Sequence, residues 1–220
     1  MALILNLETA TRNCSVALAR DGDCIASREH AGEGYSHAEK LHVFIQEVLR
    51  EAGFKYSDLD AVAVSRGPGS YTGLRIGVSA AKGFCHALGI PLISVDTTLV
   101  LASMAKIEQG HVLPLIDARR MEAYTAAYNS RLEMVSPVSA EILTPESFAH
   151  IEGPIYFVGD CQEKAKTMLN GPGHHYLMQI VYPSASAMAT FAEQKFREES
   201  FEDLAYFEPF YLKDFITGGK

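Results

Sequence analysis

Leu3-Ile4-Leu5-Asn6-Leu7-Glu8 is a short apolar run that stops at a carboxylate, and half a chain length later Val112-Leu113-Pro114-Leu115-Ile116-Asp117 does the same. Behind the first run, Cys14-Ser15-Val16-Ala17-Leu18-Ala19 leads into Asp21-Gly22, a strong hairpin signal, and Cys24 to Arg28 continues as a third strand. Behind the second, Glu122 to Tyr128 alternates as a strand and Asn129-Ser130 turns it. Two like openings predict a tandem duplication of one α/β unit, a β-meander followed by helices, with lobes at residues 1–108 and 109–220. A chance likeness between two α/β halves is the competing explanation.

Helical and strand signals fill in each half. Ser36 and Glu39 form a capping box, Leu41, Phe44, Ile45, Val48, Leu49 and Ala52 recur at helical spacing, and Gly53 sits at the C-terminal cap. A strand is expected over Leu59 to Ser65, a helix over Leu74 to Leu88, a strand over Leu92 to Val95 and a helix over Thr97 to Lys106. In the second half, a helix is expected from Pro145, a strand over Ile155 to Val158, and helices over Gln162 to Asn170 and Ala185 to Glu198.

Composition narrows the function classes. The 220 residues are 48% hydrophobic and 21% charged, a globular rather than disordered balance. Lys plus Arg is 19 and Asp plus Glu 27, a net charge of −8, which argues against nucleic acid as the main ligand of the isolated chain. It leaves room for a place in an RNA-modifying complex whose basic groove lies on another subunit. Cys14, Cys24, Cys85 and Cys161 form no CxxC pair and read as thiols in a reducing cytosol. Met1 to Leu7 lacks a signal-peptide pattern, and no uncharged apolar run reaches the ~18 residues of a membrane span, so a cytoplasmic location without membrane contact is expected.

The turn Arg66-Gly67-Pro68-Gly69-Ser70-Tyr71-Thr72-Gly73 is the most informative local feature. A strand, a glycine turn and a helix N-terminus present backbone N–H groups to a phosphate, or pack a helix closely on a strand. No lysine follows Gly73, so this is not a Walker A loop, and Thr72 stands where a dinucleotide fingerprint needs its third glycine. The nucleotide-binding candidates are Glu8, Gly67, Gly69, Ser70 and Asp117, with Glu8 and Asp117 as strand-end carboxylates facing an inter-lobe cleft; capping of a turn is the competing use.

The helix after the turn is apolar on two sides. Leu74, Val78, Ala81, Cys85 and Leu88 form one face, and Ile76, Ala80, Gly83 and Ala87 a second, leaving Arg75, Ser79, Lys82 and His86 as a narrow polar strip. Its second covering is either intramolecular core or a partner. The partner reading selects Leu41, Phe44, Val48, Gly73, Ile76, Gly77, Ala80 and Gly83 as interface residues. His37 and His42 do not share a helical face, and His174-His175 read as a solvated loop, so no metal site is expected. Gly69-Ser70-Tyr71 is no nucleophile elbow, so no catalytic residue is assigned.

Asn6-Leu7-Glu8-Thr9-Ala10, Cys14 to Leu18, Ser65-Arg66-Gly67-Pro68-Gly69-Ser70-Tyr71-Thr72-Gly73-Leu74-Arg75-Ile76-Gly77-Val78 and Ile116-Asp117-Ala118-Arg119-Arg120 closely resemble the TsaB (YeaZ) family of bacterial tRNA threonylcarbamoyladenosine biosynthesis proteins, over nearly the whole chain. The resemblance implies a two-lobed actin/Hsp70/sugar-kinase-like (ribonuclease H-like) fold. It implies a non-catalytic subunit that binds and activates a TsaD-like catalytic subunit, together with a TsaE-like ATPase. Their joint reaction is threonylcarbamoylation of the adenosine 3′ of the anticodon in tRNAs reading ANN codons. tRNA is then met only through the complex. No tightly held cofactor is expected; nucleotide, if bound, is expected to be held weakly in the inter-lobe cleft or as ATP or ADP at the partner interface, and a homodimer is expected when the catalytic subunit is absent. The family usually carries Asp in the opening motif where this chain has Glu8. A stand-alone metallo-glycopeptidase or ATPase is the alternative from a different class.

Overall fold

The computed structural model describes residues 2–32 and 37–213. In the first half, β1 (Leu3–Glu8), β2 (Asn13–Arg20) and β3 (Asp23–Ala31) form an antiparallel meander, and β4 (Ala61–Ser65) and β5 (Leu92–Val95) add to β1 in parallel, giving the order β3-β2-β1-β4-β5. In the second half, β6 (His111–Asp117), β7 (Glu122–Asn129), β8 (Met134–Ile142), β9 (Ile155–Val158) and β10 (His174–Tyr176) repeat this as β8-β7-β6-β9-β10. Strand for strand, β6 corresponds to β1 and β9 to β4. The expected duplication and the two-lobed architecture are both present. Glu8 and Asp117 stand at the same end of corresponding strands.

The helices are α1 (His37–Ala52), α2 (Tyr71–Leu88), α3 (Thr97–Ser103), α4 (Gln162–Lys166) and α5 (Ala189–Arg197). β1 is buried along its whole length because both faces of the first sheet are covered, which is why its sequence is mostly apolar, broken by the buried Asn6 and Glu8, rather than alternating. Leu3, Leu5 and Leu7 join Val16, Leu18, Val62 and Val64 under α1 and α2. Ile4 points the other way, with Ala61, Ala63 and Ile93, against Val100 of α3 and Met188 and Ala192 of the α5 region. α3 also packs on the second sheet through Leu101 and Ala102, and Thr98 Oγ1 lies 2.9 Å from the Tyr128 hydroxyl of β7.

The sheets divide near residue 108, yet the end of the chain returns to the first lobe. α5 packs on β1 and β5, the Glu202 N–H donates to the Leu92 carbonyl at 2.9 Å, and the Phe210 N–H to the Arg66 carbonyl at 2.7 Å. Lys213 then pairs with Glu122 at the start of β7.

Several elements differ from expectation. α2 starts at Tyr71, inside the glycine turn, because Ser70 Oγ accepts the Gly73 N–H at 3.2 Å and caps it. The helix from Pro145 is instead a run of turns over residues 145–150, where Ser147 Oγ takes the Thr144 N–H at 3.1 Å and Phe148 adopts a left-handed φ of +67°. α3 and α4 end at Ser103 and Lys166, short of the expected Lys106 and Asn170. β8 and β10 are edge strands that the sequence did not announce. The Ser36–Glu39 capping box lies outside the described residues because Ser36 does. No described helix is long and apolar enough to cross a membrane.

Candidate functional site

The glycine turn is built into the first lobe by close packing on the β1–β2 loop. A Cβ on Gly69 would overlap the Ala10 carbonyl, one on Gly73 the Thr9 carbonyl, and one on Gly77 the Thr9 hydroxyl. Three of the turn's donors are used internally: Gly67 N–H meets Thr97 Oγ1 at 3.1 Å, Ser70 N–H meets the Ala10 carbonyl at 2.6 Å, and Gly73 N–H meets Ser70 Oγ. Close packing, the second of the two uses open to these glycines, accounts for Gly69 and Gly73, whereas Gly67 lies against the Phe210 carbonyl of the returning C-terminal segment.

Glu8 is fully buried behind this turn. Its Oε1 accepts the Ala10 N–H at 2.6 Å and the Ser65 hydroxyl at 3.0 Å, and Ser65 Oγ continues to Thr97 Oγ1 at 3.1 Å. Oε2 has no hydrogen-bond partner among the described residues. Burial pushes the carboxyl up to about 7 against the lowering effect of those hydrogen bonds. Asp117 has a different setting. It is exposed, its Oδ1 accepts Lys164 Nζ at 2.6 Å and the Arg119 N–H at 3.0 Å, and its own N–H donates to Asp160 Oδ1 at 2.8 Å. Burial raises Asp160 to about 6, and Arg12, on the β1–β2 turn, acts on it in the opposite sense. The two strand-end carboxylates thus occupy corresponding positions with unlike surroundings, one sealed and one in water.

The residues expected at a partner interface separate into two groups. Leu41 and Val48 are fully buried in the first lobe's own core, and Gly73 and Gly77 are buried against Thr9, so these four cannot touch a partner. Phe44, Ile76 and Ala80 are half-buried, and Gly83 is exposed with open space around its Cα. Exposed Val43, Ser79 and Ala87 continue this surface along α1 and α2. The sequence list missed Val43 because it lies off the apolar stripe of α1. The polar strip is also partly occupied: Lys82 Nζ donates to the Ala205 and Phe207 carbonyls, and the Arg75 guanidinium lies 4.1 Å over the Tyr71 ring.

Burial pushes the Cys14, Cys85 and Cys161 thiols up to about 11, so none is a thiolate at neutral pH. His37 is buried with Nε2 2.8 Å from the Thr11 carbonyl, while His42 is exposed against Phe84. His174 and His175 are not in a solvated loop: they lie on β10, where His174 is half-buried and packs edge-on against Phe157 at 5.3 Å, and His175 stacks on Tyr156 at 4.9 Å. Among the described residues no three His, Cys, Asp or Glu side chains converge as a metal site.

Comparison with known proteins adds the following. A family model described as TsaD: tRNA N6-adenosine threonylcarbamoyltransferase matches residues 33–216. The tRNA threonylcarbamoyladenosine biosynthesis protein TsaB of Escherichia coli (strain K12) is 30% identical over 232 residues, covering 99% of this chain and 97% of that protein. The structure of YeaZ from Pseudomonas aeruginosa superposes with a TM-score of 0.81 at 29% identity, over 96% of this chain and 100% of that one. An activator of the 2-hydroxyisocaproyl-CoA dehydratase from Clostridium difficile shares the fold alone, with a TM-score of 0.54 and 9% identity over 90% of this chain and 97% of that one.

Proposed function

The chain belongs to the TsaB (YeaZ) family of tRNA threonylcarbamoyladenosine biosynthesis proteins, and from that membership we propose that it is the non-catalytic subunit of a tRNA threonylcarbamoyltransferase complex. It binds and activates a TsaD-like catalytic subunit, with a TsaE-like ATPase joining, and pairs with a second copy of itself when that subunit is absent. It works in the cytoplasm, and ATP or ADP belongs at the partner interface rather than to this chain alone.

One observation carries the reading: among the described residues, the α1–α2 pair leaves Val43 and Gly83 exposed and Ile76 and Ala80 half-exposed beside them. A helix face of small and apolar residues left in water is a typical docking surface. Near that surface Glu8 is buried, the Cys14 thiol is neutral and α2 is capped by Ser70.

Gly83→Arg tests the surface more sharply than a change at Ala80, which already packs on the core. Gly83 has open space around it and sits mid-helix, so the variant should fold at least as stably as the parent, helix propensity favouring arginine over glycine. It should fail to co-elute with the TsaD-like subunit in size-exclusion chromatography with light scattering, and tRNA modification by the reconstituted mixture should fall to background. A folded Gly83→Arg protein that still associates and supports modification would remove the proposal.

A further inference from the structure

Asp117-Ala118-Arg119-Arg120 stands out in the sequence, yet it lies apart from the α1–α2 surface. It forms the turn between β6 and β7, and Arg119 and Arg120 are two successive residues with left-handed φ values of +69° and +50°. Glycine or asparagine adopts that conformation readily; arginine does so at a cost. The turn is nonetheless firmly supported. Lys164 Nζ donates to Asp117 Oδ1 at 2.6 Å, to the Glu122 carbonyl at 3.0 Å and to the Arg120 carbonyl, and the Ala118 N–H donates to the Glu122 carbonyl at 3.1 Å.

The same contacts decide the charge. Asp117 is taken by Lys164 and Glu122 by Lys213, so the hairpin's own carboxylates are already matched. Arg119 and Arg120 are exposed, and among the described residues neither side chain makes an ion pair. On the corresponding β1–β2 turn of the first lobe, Arg12 is exposed as well, and its charge reaches Asp160 beside Asp117. Duplication therefore puts an arginine-bearing turn after the central strand of each lobe, on a chain whose net charge is −8.

We infer that Arg119 and Arg120, with Arg12 of the corresponding turn, contact the phosphodiester backbone of the RNA substrate. This rests on the reading of the chain as part of a tRNA-modifying complex and extends it, because the chain then meets RNA directly. Guanidinium forks match phosphate oxygens in pairs. The turn is exposed, and neither the cavity beneath β7 and β8 nor the groove along α2 includes it, which suits a long polyanion laid across it better than an enclosed small anion. Three arginines on an acidic chain supply a few contacts and no stand-alone affinity, so the complex is where they act.

The test is the double substitution Arg119→Asn/Arg120→Gly, assayed in the reconstituted complex with the TsaD-like subunit. Both replacements suit the left-handed conformation, so the melting temperature should rise while complex assembly is unchanged. tRNA affinity should fall about tenfold at 0.1 M salt, and the slope of log affinity against log salt should shrink by about 1.4–1.8, as expected for two lost phosphate contacts. Arg119→Lys/Arg120→Lys should keep most of that slope. Unchanged tRNA affinity and slope in an assembled complex would overturn the inference, as would a fall in melting temperature, which would make the arginines structural. Loss of assembly would also overturn it and assign the turn to an acidic face on a protein partner. Failure of the parent chain itself to assemble is a separate result: it removes the functional reading first and this inference with it.

Discussion

In the first lobe the sixteen-residue α1 lies over β2 and β3 and buries Leu41, Ile45, Val48 and Leu49; in the second the corresponding stretch is a run of turns over residues 145–150. A cavity of about 230 Å³ remains there, with Leu113, Ala127, Phe148 and Ile151 among its lining. The strand plan is therefore duplicated while its cover is not. Strand pairing is fixed by backbone hydrogen bonds and by apolar faces that both copies keep, whereas the layer above a sheet can change from helix to loop if the floor stays buried. The consequence is a division of labour. The first lobe, with two long helices side by side, carries the proposed partner surface. The second, with only the five-residue α4 behind its Asp117 hairpin, presents arginines instead.

The comparison is sharpest at two corresponding glycines, Gly67 after β4 and Gly159 after β9, both at φ +116°. A Cβ at Gly159 would overlap the Leu115 carbonyl in the middle of β6, backbone that cannot move without breaking the sheet. A Cβ at Gly67 would meet the Phe210 carbonyl at 2.6 Å, in the chain's returning C-terminal segment. Gly159→Ala should cost about 4 kcal/mol in urea unfolding and Gly67→Ala about 2, both from strain plus overlap. Equal losses would mean that the returning segment is as rigid as a central strand.

The next difference is between Glu8 and Asp117. Glu8 titrates near 4.5 when unfolded and about 7 when folded, so the native state holds the proton more tightly. The stabilisation is complete below about pH 4.5 and is lost as pH rises to about 7, a decline on the order of 3 kcal/mol. Asp160, raised to about 6, adds a smaller slope of the same sign. Glu8→Gln keeps an oxygen for the Ala10 N–H and should remove most of the decline, leaving the variant more stable than the parent at pH 8. A thermal-melt series from pH 5 to 8 that is parallel for both proteins would place Glu8 in a less apolar setting than its burial indicates. Asp117→Asn removes only an exposed partner of Lys164 and should cost less than about 1 kcal/mol.

Much of this was legible in the residues. β1, β5, β9 and α1 were marked by continuous apolar runs or by helical spacing closed with Gly53, and the two like openings gave the duplication. β8 was not, because as an edge strand it mixes exposed and half-buried positions and shows no sustained apolar run. Thr144-Pro145-Glu146 resembles a helix start, but Ser147 bonds back to Thr144, and Phe148 turns left-handed before a second turn of helix can form. Half of the interface list is ruled out for a geometric reason. Gly73 and Gly77 are four apart and lie beside Leu74, Val78 and Ala81, so spacing alone assigns them to the buried side, whereas residue size suggested a partner. The purpose of the glycine turn could not be read locally. It depends on where the Thr9 and Ala10 carbonyls fall, more than fifty residues earlier in the chain.

The smallest effect concerns the two helix starts that follow those corresponding glycines. Ser70 caps α2 through the Gly73 N–H, while Cys161 at the start of α4 makes no side-chain cap. Ser70→Ala should therefore cost about 1 kcal/mol, in the usual range for a lost cap. Ser70→Asp is more informative. A carboxylate accepts the same N–H and also interacts favourably with the helix dipole, and α2 has no acidic residue in its first turn, so stability should match or slightly exceed that of the parent. The same carboxylate would repel any phosphate brought to this helix start. If α2 is capped from within, as its hydrogen bonds indicate, Ser70→Asp leaves both stability and complex activity intact. If modification activity collapses while the melting temperature holds, the turn meets an anion during the reaction, and the first lobe has a phosphate-facing element of its own to set beside the arginine turn of the second.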